Sequence, residues 1–282
     1  MTDPIDNALT LIAAIKSVPR WQREGEARLA RRMADLFDNS AAAALRELAK
    51  RGLPSNATGR AIILSPIRDA EQLLLGLAGD EAEIAAQTAQ RVALDALRKQ
   101  GVAIGDVPPL AQSVRDAIRD KVFAASGRTL ERVRGDVMTA LSEAYEDGLG
   151  IEDAAKRIAE KFVSIRDFEL ERIARTEIHG AQSDATHATM QDLGIQYTQW
   201  ITADDDRVRG NDPDDEADHV ALHDIIVPVG EPFPNGLLYP GDRNGPIGEW
   251  INCRCREVPF IMPPGAIAPP GKGAFYPGEI LT

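Results

Sequence analysis

The chain has 282 residues, 44% of them hydrophobic, which is enough apolar material for one large domain or two smaller ones. Its formal net charge of −12 argues against a general nucleic-acid coat, because neutralising phosphates requires a surplus of Lys and Arg on the contacting face. The opening stretch MTDPIDNALTLIAAIKSVPRW starts acidic and its short apolar run ends at Pro19, so it fits neither a secretory signal nor a membrane span, and a reducing cytoplasm is the expected place of synthesis.

From residue 3 to about 193 the pattern predicts helix after helix. Thr2 with Pro4 resembles an N-cap followed by a first-turn proline, and Ser65 with Pro66 repeats the signal. Gly52, Gly79, Gly101 and Gly148 are predicted helix stops. Between residues 80 and 100, Ile84, Thr88, Val92 and Leu94 to Leu97 recur at three- and four-residue intervals, which predicts an amphipathic helix with these residues on its apolar face. Comparable patterns follow in LAQSVRDAIRDKVFAAS and LERVRGDVMTALSEAYEDG, so residues 1–150 are expected to form an elongated helical region. Arg128, Arg132 and Arg134 form a basic cluster sized for a weak, local DNA contact and no more.

The last helix of the series, IRDFELERIARTEIHGAQSDATHATMQDLG, carries Arg175, His179, Ser183 and His187 four residues apart and hence on one face. That face is either a solvated stripe or a surface docked on whatever follows. Arg175 and Glu177, two residues apart, diverge on a helix and are expected to serve as separate salt-bridge partners.

After Gly194 the texture changes. IQYTQWIT alternates like a short strand, while DIIVPVG and GLLYPGD are brief apolar runs framed by Pro and Gly. The predicted fold class is therefore α+β: an elongated N-terminal helical region, a small irregular α+β domain over 151–260, and a Pro/Gly-rich extended tail over 261–282. From Trp200 to Arg256 there are twelve acidic against five basic residues. The run DDDRVRGNDPDDEAD does not space its acids as a calcium loop requires and is expected to be a solvated acidic loop.

Both cysteines, Cys253 and Cys255, fall in EWINCRCREVP. In an extended segment residues i and i+2 point to the same side, with α-carbons about 6.7 Å apart, at the upper edge of disulfide geometry. Upstream, DHVALH sets His219 and His223 four residues apart. Two thiolates with one or two imidazoles would satisfy a tetrahedral zinc, with His223, His179 or an acidic residue as the fourth partner of Cys253, Cys255 and His219. Buried inert thiols and a redox pair are the alternatives.

Taken in order, RIARTEIHGAQ, QWITADDDRVR, DHVALHD and FPNGLLYPGDRNGPIGEWINCRC resemble the phage head-morphogenesis family named after the minor head protein F of phage Mu, over roughly residues 150 to 258. By similarity Arg175, Thr176 and Glu177 match the family's helix motif, Asp206 and Arg209 its turn, His219 its lone histidine, and Tyr239, Pro240, Asn252, Cys253, Arg254 and Cys255 its closing motif. The stretch GNDPDDEAD makes the spacing from Arg209 to His219 longer than the family's. The resemblance implies a minor capsid protein, not an enzyme, that acts in prohead assembly near the portal. Its implied partners are portal, major capsid or scaffold proteins, and its implied location is the inside of the virion head after assembly in the host cytoplasm, with no membrane association. The competing reading is a metal-dependent hydrolase or transferase-like toxin domain of phage origin, which would need a cleft where Arg, Glu, His and Cys converge.

Overall fold

The computed structural model describes residues 20–281; the predicted cap at Thr2 and Pro4 lies outside them. The architecture is α+β, with long helices followed by a small antiparallel sheet. The described residues form two compact units, one of residues 24–81 and 119–177 and the other of residues 20–23, 82–118 and 178–281.

The long helices come first along the chain, and four of them have residues in both units. Helix α1 (Arg20–Arg51) buries Leu29, Met33, Phe37 and Ala41, one every four residues, which is the spacing that keeps one face inward. It ends at Gly52, whose φ of +78° is the left-handed conformation that stops helices. Helix α2 (Ala57–Ile63) is capped by Asn56, whose side-chain oxygen accepts from the Gly59 amide at 2.8 Å, and α3 (Ser65–Lys99) starts at the predicted Ser65–Pro66 signal, with Ser65 as its first residue rather than its cap. Helix α4 spans Gln112–Glu146 and α5 Ile151–Ser164. A π-helical turn, Ile165–Leu170, joins α5 to α6 (Glu171–Asp192). Phe37 and Phe162 meet edge to face at 5.7 Å, and the fully buried Glu81 is held by Arg28 and Arg32 at 2.7 and 2.8 Å.

Two sequence expectations need correction here. Gly79 is no helix stop. It lies inside α3, where a Cβ would come within 2.9 Å of the Phe123 ring, so its lack of a side chain serves close packing against α4. The inward face of α3 is also not the one led by Ile84 and Val92, which are 49% and 37% exposed; Ala82, Ala85, Ala86, Ala89 and Ala93 are buried together with Leu94 and Leu97. Small side chains turn inward where backbones approach closely, and hydropathy ranking does not reveal that.

In the second unit, β1 (Tyr197–Ile201) is central, with β2 (Ile226–Pro228) and β3 (Arg256–Phe260) antiparallel on either side. Thr198 lies opposite Val227 and Pro259, and Trp200 opposite Glu257. Both faces of β1 are covered, which is why Gln199 as well as Trp200 is buried. The chain end crosses the outer edge of β2: Ile226 and Phe275 exchange backbone hydrogen bonds of 2.8 and 3.0 Å, and the buried Phe275 ring meets Tyr197 at 5.6 Å. GLLYPGD forms turns.

Candidate metal centre

The two cysteines precede β3 rather than lying in it. They follow the short helix α7 (Ile247–Trp250) and Asn252, whose φ of +55° turns the chain sharply before the thiols. The i, i+2 geometry nevertheless brings both sulfurs to one side, as the extended reading expects. His219 sits at the start of a single 3-10 turn, Val220–Leu222, with its amide donating to the Arg209 carbonyl at 2.9 Å. Its Nδ1 lies 3.7 Å from Cys253 Sγ and 3.5 Å from Cys255 Sγ, and one ligand atom from each of the three residues lies within 4.8 Å of the others. Zinc bonded at about 2.3 Å to sulfur and about 2.05 Å to nitrogen, at tetrahedral angles, separates N and S by roughly 3.6 Å. The donors are thus already spaced for an ion.

All three side chains are buried, and the walls are aromatic: the Trp200 ring meets His219 at 5.2 Å and Phe233 at 5.1 Å, both edge to face. Burial alone would push both thiols up. The hydrogen bond from Cys255, joined by that of His219, instead pulls the Cys253 thiol well below its ordinary value, and the same bond together with burial pushes Cys255 well above it. Burial lowers the His219 pKa, but its bonds to Cys253 and Glu249 outweigh that and raise it.

The other histidines are committed elsewhere. His223 Nδ1 accepts from the Thr202 amide at 3.2 Å, and its Nε2 faces Asp224 at 3.7 Å. His179 Nε2 donates to the Cys255 carbonyl at 2.5 Å, and Gly241, with φ +86°, packs so closely on the ring that a Cβ there would lie 2.9 Å from Cε1 and Nδ1. These contacts correct the expectation that either could supply a fourth ligand: each serves the framework around the thiols.

Residues 135–258 match the family model described as Phage Mu protein F like protein. No curated protein and no solved structure matches the chain. The match agrees with the family resemblance read from the motifs. Among the described residues no helix is long and apolar enough to cross a membrane.

Within the Mu F-like region the motif residues take distinct places. On α6, Arg175 pairs with Glu171 at 2.6 Å and approaches Glu26 at 3.8 Å, while Thr176 and Glu177 are buried. The polar stripe further along α6 is docked, not solvated: besides His179, the buried His187 faces Glu257 of β3 at 3.2 Å through Nδ1, and Tyr239 donates to Asp184 at 2.6 Å while its ring lies 4.6 Å from that of His187. Burial, reinforced by Asp184, raises the Tyr239 pKa, and burial likewise raises that of Glu257. Pro240 is buried beside Tyr239 in the sequence, and Asn252 is exposed. Arg209 donates to the Ile251 carbonyl, so one residue ties the His219 loop to the segment leading to the thiols. Asp206, the motif acid, is exposed; its neighbour Asp205 takes the Arg254 guanidinium through both oxygens. Asp205, Glu249, Asn235, Glu257 and Trp200 contribute to this region without having stood out in the sequence, and only the run of three acids at 204–206 hinted at any of them.

The Arg254 hydrogen bonds hold the Asp205 carboxyl below its ordinary value of 3.8, against partial burial. A depressed folded value means the pair's contribution is fully present above about pH 4 and is lost as pH falls through the folded pKa. Arg254→Met is therefore expected to destabilise the protein at pH 7 and to flatten the acid limb of its stability curve below pH 4; urea unfolding at several pH values measures both. An acid limb identical to that of the unaltered protein would contradict this account.

Proposed function

We propose that this protein is a minor head protein that acts in prohead assembly near the portal and stays inside the head of the virion. The match of residues 135–258 to the Phage Mu protein F like family carries this reading. The implied partners are the portal protein and the major capsid or scaffold proteins, met in the host cytoplasm while the head is being built. We further propose that His219, Cys253 and Cys255 hold zinc as a structural ion. Thiolate and imidazole donors favour that metal, and the ion would fasten the segment entering β3 to a loop rich in mutually repelling carboxylates. The basic residues of α4 are largely engaged within the protein, Arg132 with Asp136 and Glu169 and Arg134 with Glu71, which limits any DNA contact to a weak and local one.

The test is to assemble proheads from portal, scaffold and major capsid proteins with and without this chain and to sediment them. The expected result is co-sedimentation at a few copies per particle, lost when the portal is omitted. A chain that stays in the supernatant, or that turns over a substrate with loss of activity in His219→Ala, would overturn the reading in favour of the enzyme alternative.

A further inference from the structure

The imidazole of His219 can serve a metal through Nδ1 only if its single proton resides on Nε2. A neutral imidazole carries one N–H and one lone pair, and in a folded protein its hydrogen-bond partners fix which nitrogen keeps the proton. Nε2 points away from the sulfurs and lies 2.9 Å from Glu249 Oε2. A carboxylate oxygen accepts only, so the bond requires the proton on Nε2 and leaves the Nδ1 lone pair facing Cys253 and Cys255 at 3.7 and 3.5 Å. The same oxygen of Glu249 accepts a second bond from Asn235 Nδ2, also at 2.9 Å. The Glu249 side chain is 17% exposed, so water competes poorly for it. Three separate pieces of chain thus meet behind one imidazole: the His219 turn, the Asn235 loop and helix α7.

We infer that Glu249 is a positioning residue for the metal, holding His219 in the tautomer and ring orientation that ligation needs, and that Asn235 holds Glu249 in place. This rests on the proposal that the three donors bind zinc. Glu249 touches no ion itself. It makes the nitrogen a better donor and removes the cost of choosing the tautomer when the metal arrives.

The experiment uses the full chain and zinc alone. Zinc affinity is measured by competition with a chromogenic chelator for the unaltered protein, Glu249→Ala and Glu249→Gln; the tautomer of the neutral His219 ring is read from ring nitrogen shifts in the metal-free proteins at alkaline pH, and their melting is recorded alongside. The unaltered protein is expected to show the Nε2–H form. Glu249→Ala is expected to show a tautomer mixture and a zinc affinity about 10- to 100-fold weaker, with metal-free melting little changed. Glu249→Gln, whose amide oxygen still accepts from Nε2–H, should keep the tautomer and most of the affinity. Equal affinities and tautomers in the unaltered protein and Glu249→Ala would overturn the inference while leaving the zinc site standing. So would an affinity loss matched by an equal loss of metal-free stability. An unaltered protein that takes up no zinc would overturn the zinc site itself, and this inference with it.

Discussion

Replacing both cysteines with serine, or stripping zinc with a strong chelator, is expected to abolish metal binding and to loosen residues 197–260 while the helices of the first unit remain folded. The donors come from two segments more than 30 residues apart in sequence, as the separations of 34 and 36 residues between His219 and the two cysteines show. The sheet that should hold them together has three strands of five, three and five residues, and so little sheet buries little apolar surface of its own. Structural zinc in small domains contributes about 10–16 kcal/mol of apparent binding energy, against a whole-domain stability of about 5–15 kcal/mol. Even a fraction of that term is a large share of the stability of so small a sheet. Elemental analysis should return one zinc per unaltered chain and none in the double serine variant. Chelator should add an early transition to the melt with most of the helical circular dichroism retained. A protein without zinc, whose melt ignores both chelator and the serine substitutions, would reduce Cys253 and Cys255 to packing residues.

The second large effect is expected at Trp200. Its side chain is fully buried, its backbone exchanges hydrogen bonds with Ile225 and Asp224 at 2.9 Å, and its ring stands between His219 and Phe233 in the core cluster that includes both cysteines. Trp200→Ala would leave a cavity behind the imidazole and should cost about 3–5 kcal/mol, whereas Trp200→Phe, which keeps an aromatic edge toward His219, should cost clearly less. Urea unfolding followed by tyrosine fluorescence or circular dichroism measures both. A loss below about 1 kcal/mol for Trp200→Ala would mean that the wall behind His219 carries no packing load.

Much of this protein could be read from its sequence because the signals are local. Glycines at 52, 101 and 148 with positive φ end helices by short-range backbone chemistry, so these stops appear where their residue type demands, and Ser65 with Pro66 begins α3. The strand at Tyr197–Ile201, the shared side of Cys253 and Cys255, and the order of the family motifs were legible for the same reason. Only the tertiary structure decided which partners those residues meet. Periodicity placed Arg175, His179, Ser183 and His187 on one face but could not say that His179 would bond the Cys255 carbonyl or that His187 would face Glu257, 76 and 70 residues further on. Nor could it separate His219, whose Nδ1 faces both thiols, from His223, four residues later and tied to Thr202. Glu249 and Asn235 belong to no pattern at all until the chain folds them behind the imidazole. Gly79 read as a stop because a glycine's permissiveness is visible in sequence, whereas the Phe123 ring that requires it arrives from another helix. Short-range sterics and hydrogen bonding are written in neighbouring residues; ligation, burial of charge and close helix contact depend on distances that exist only once the chain has closed on itself.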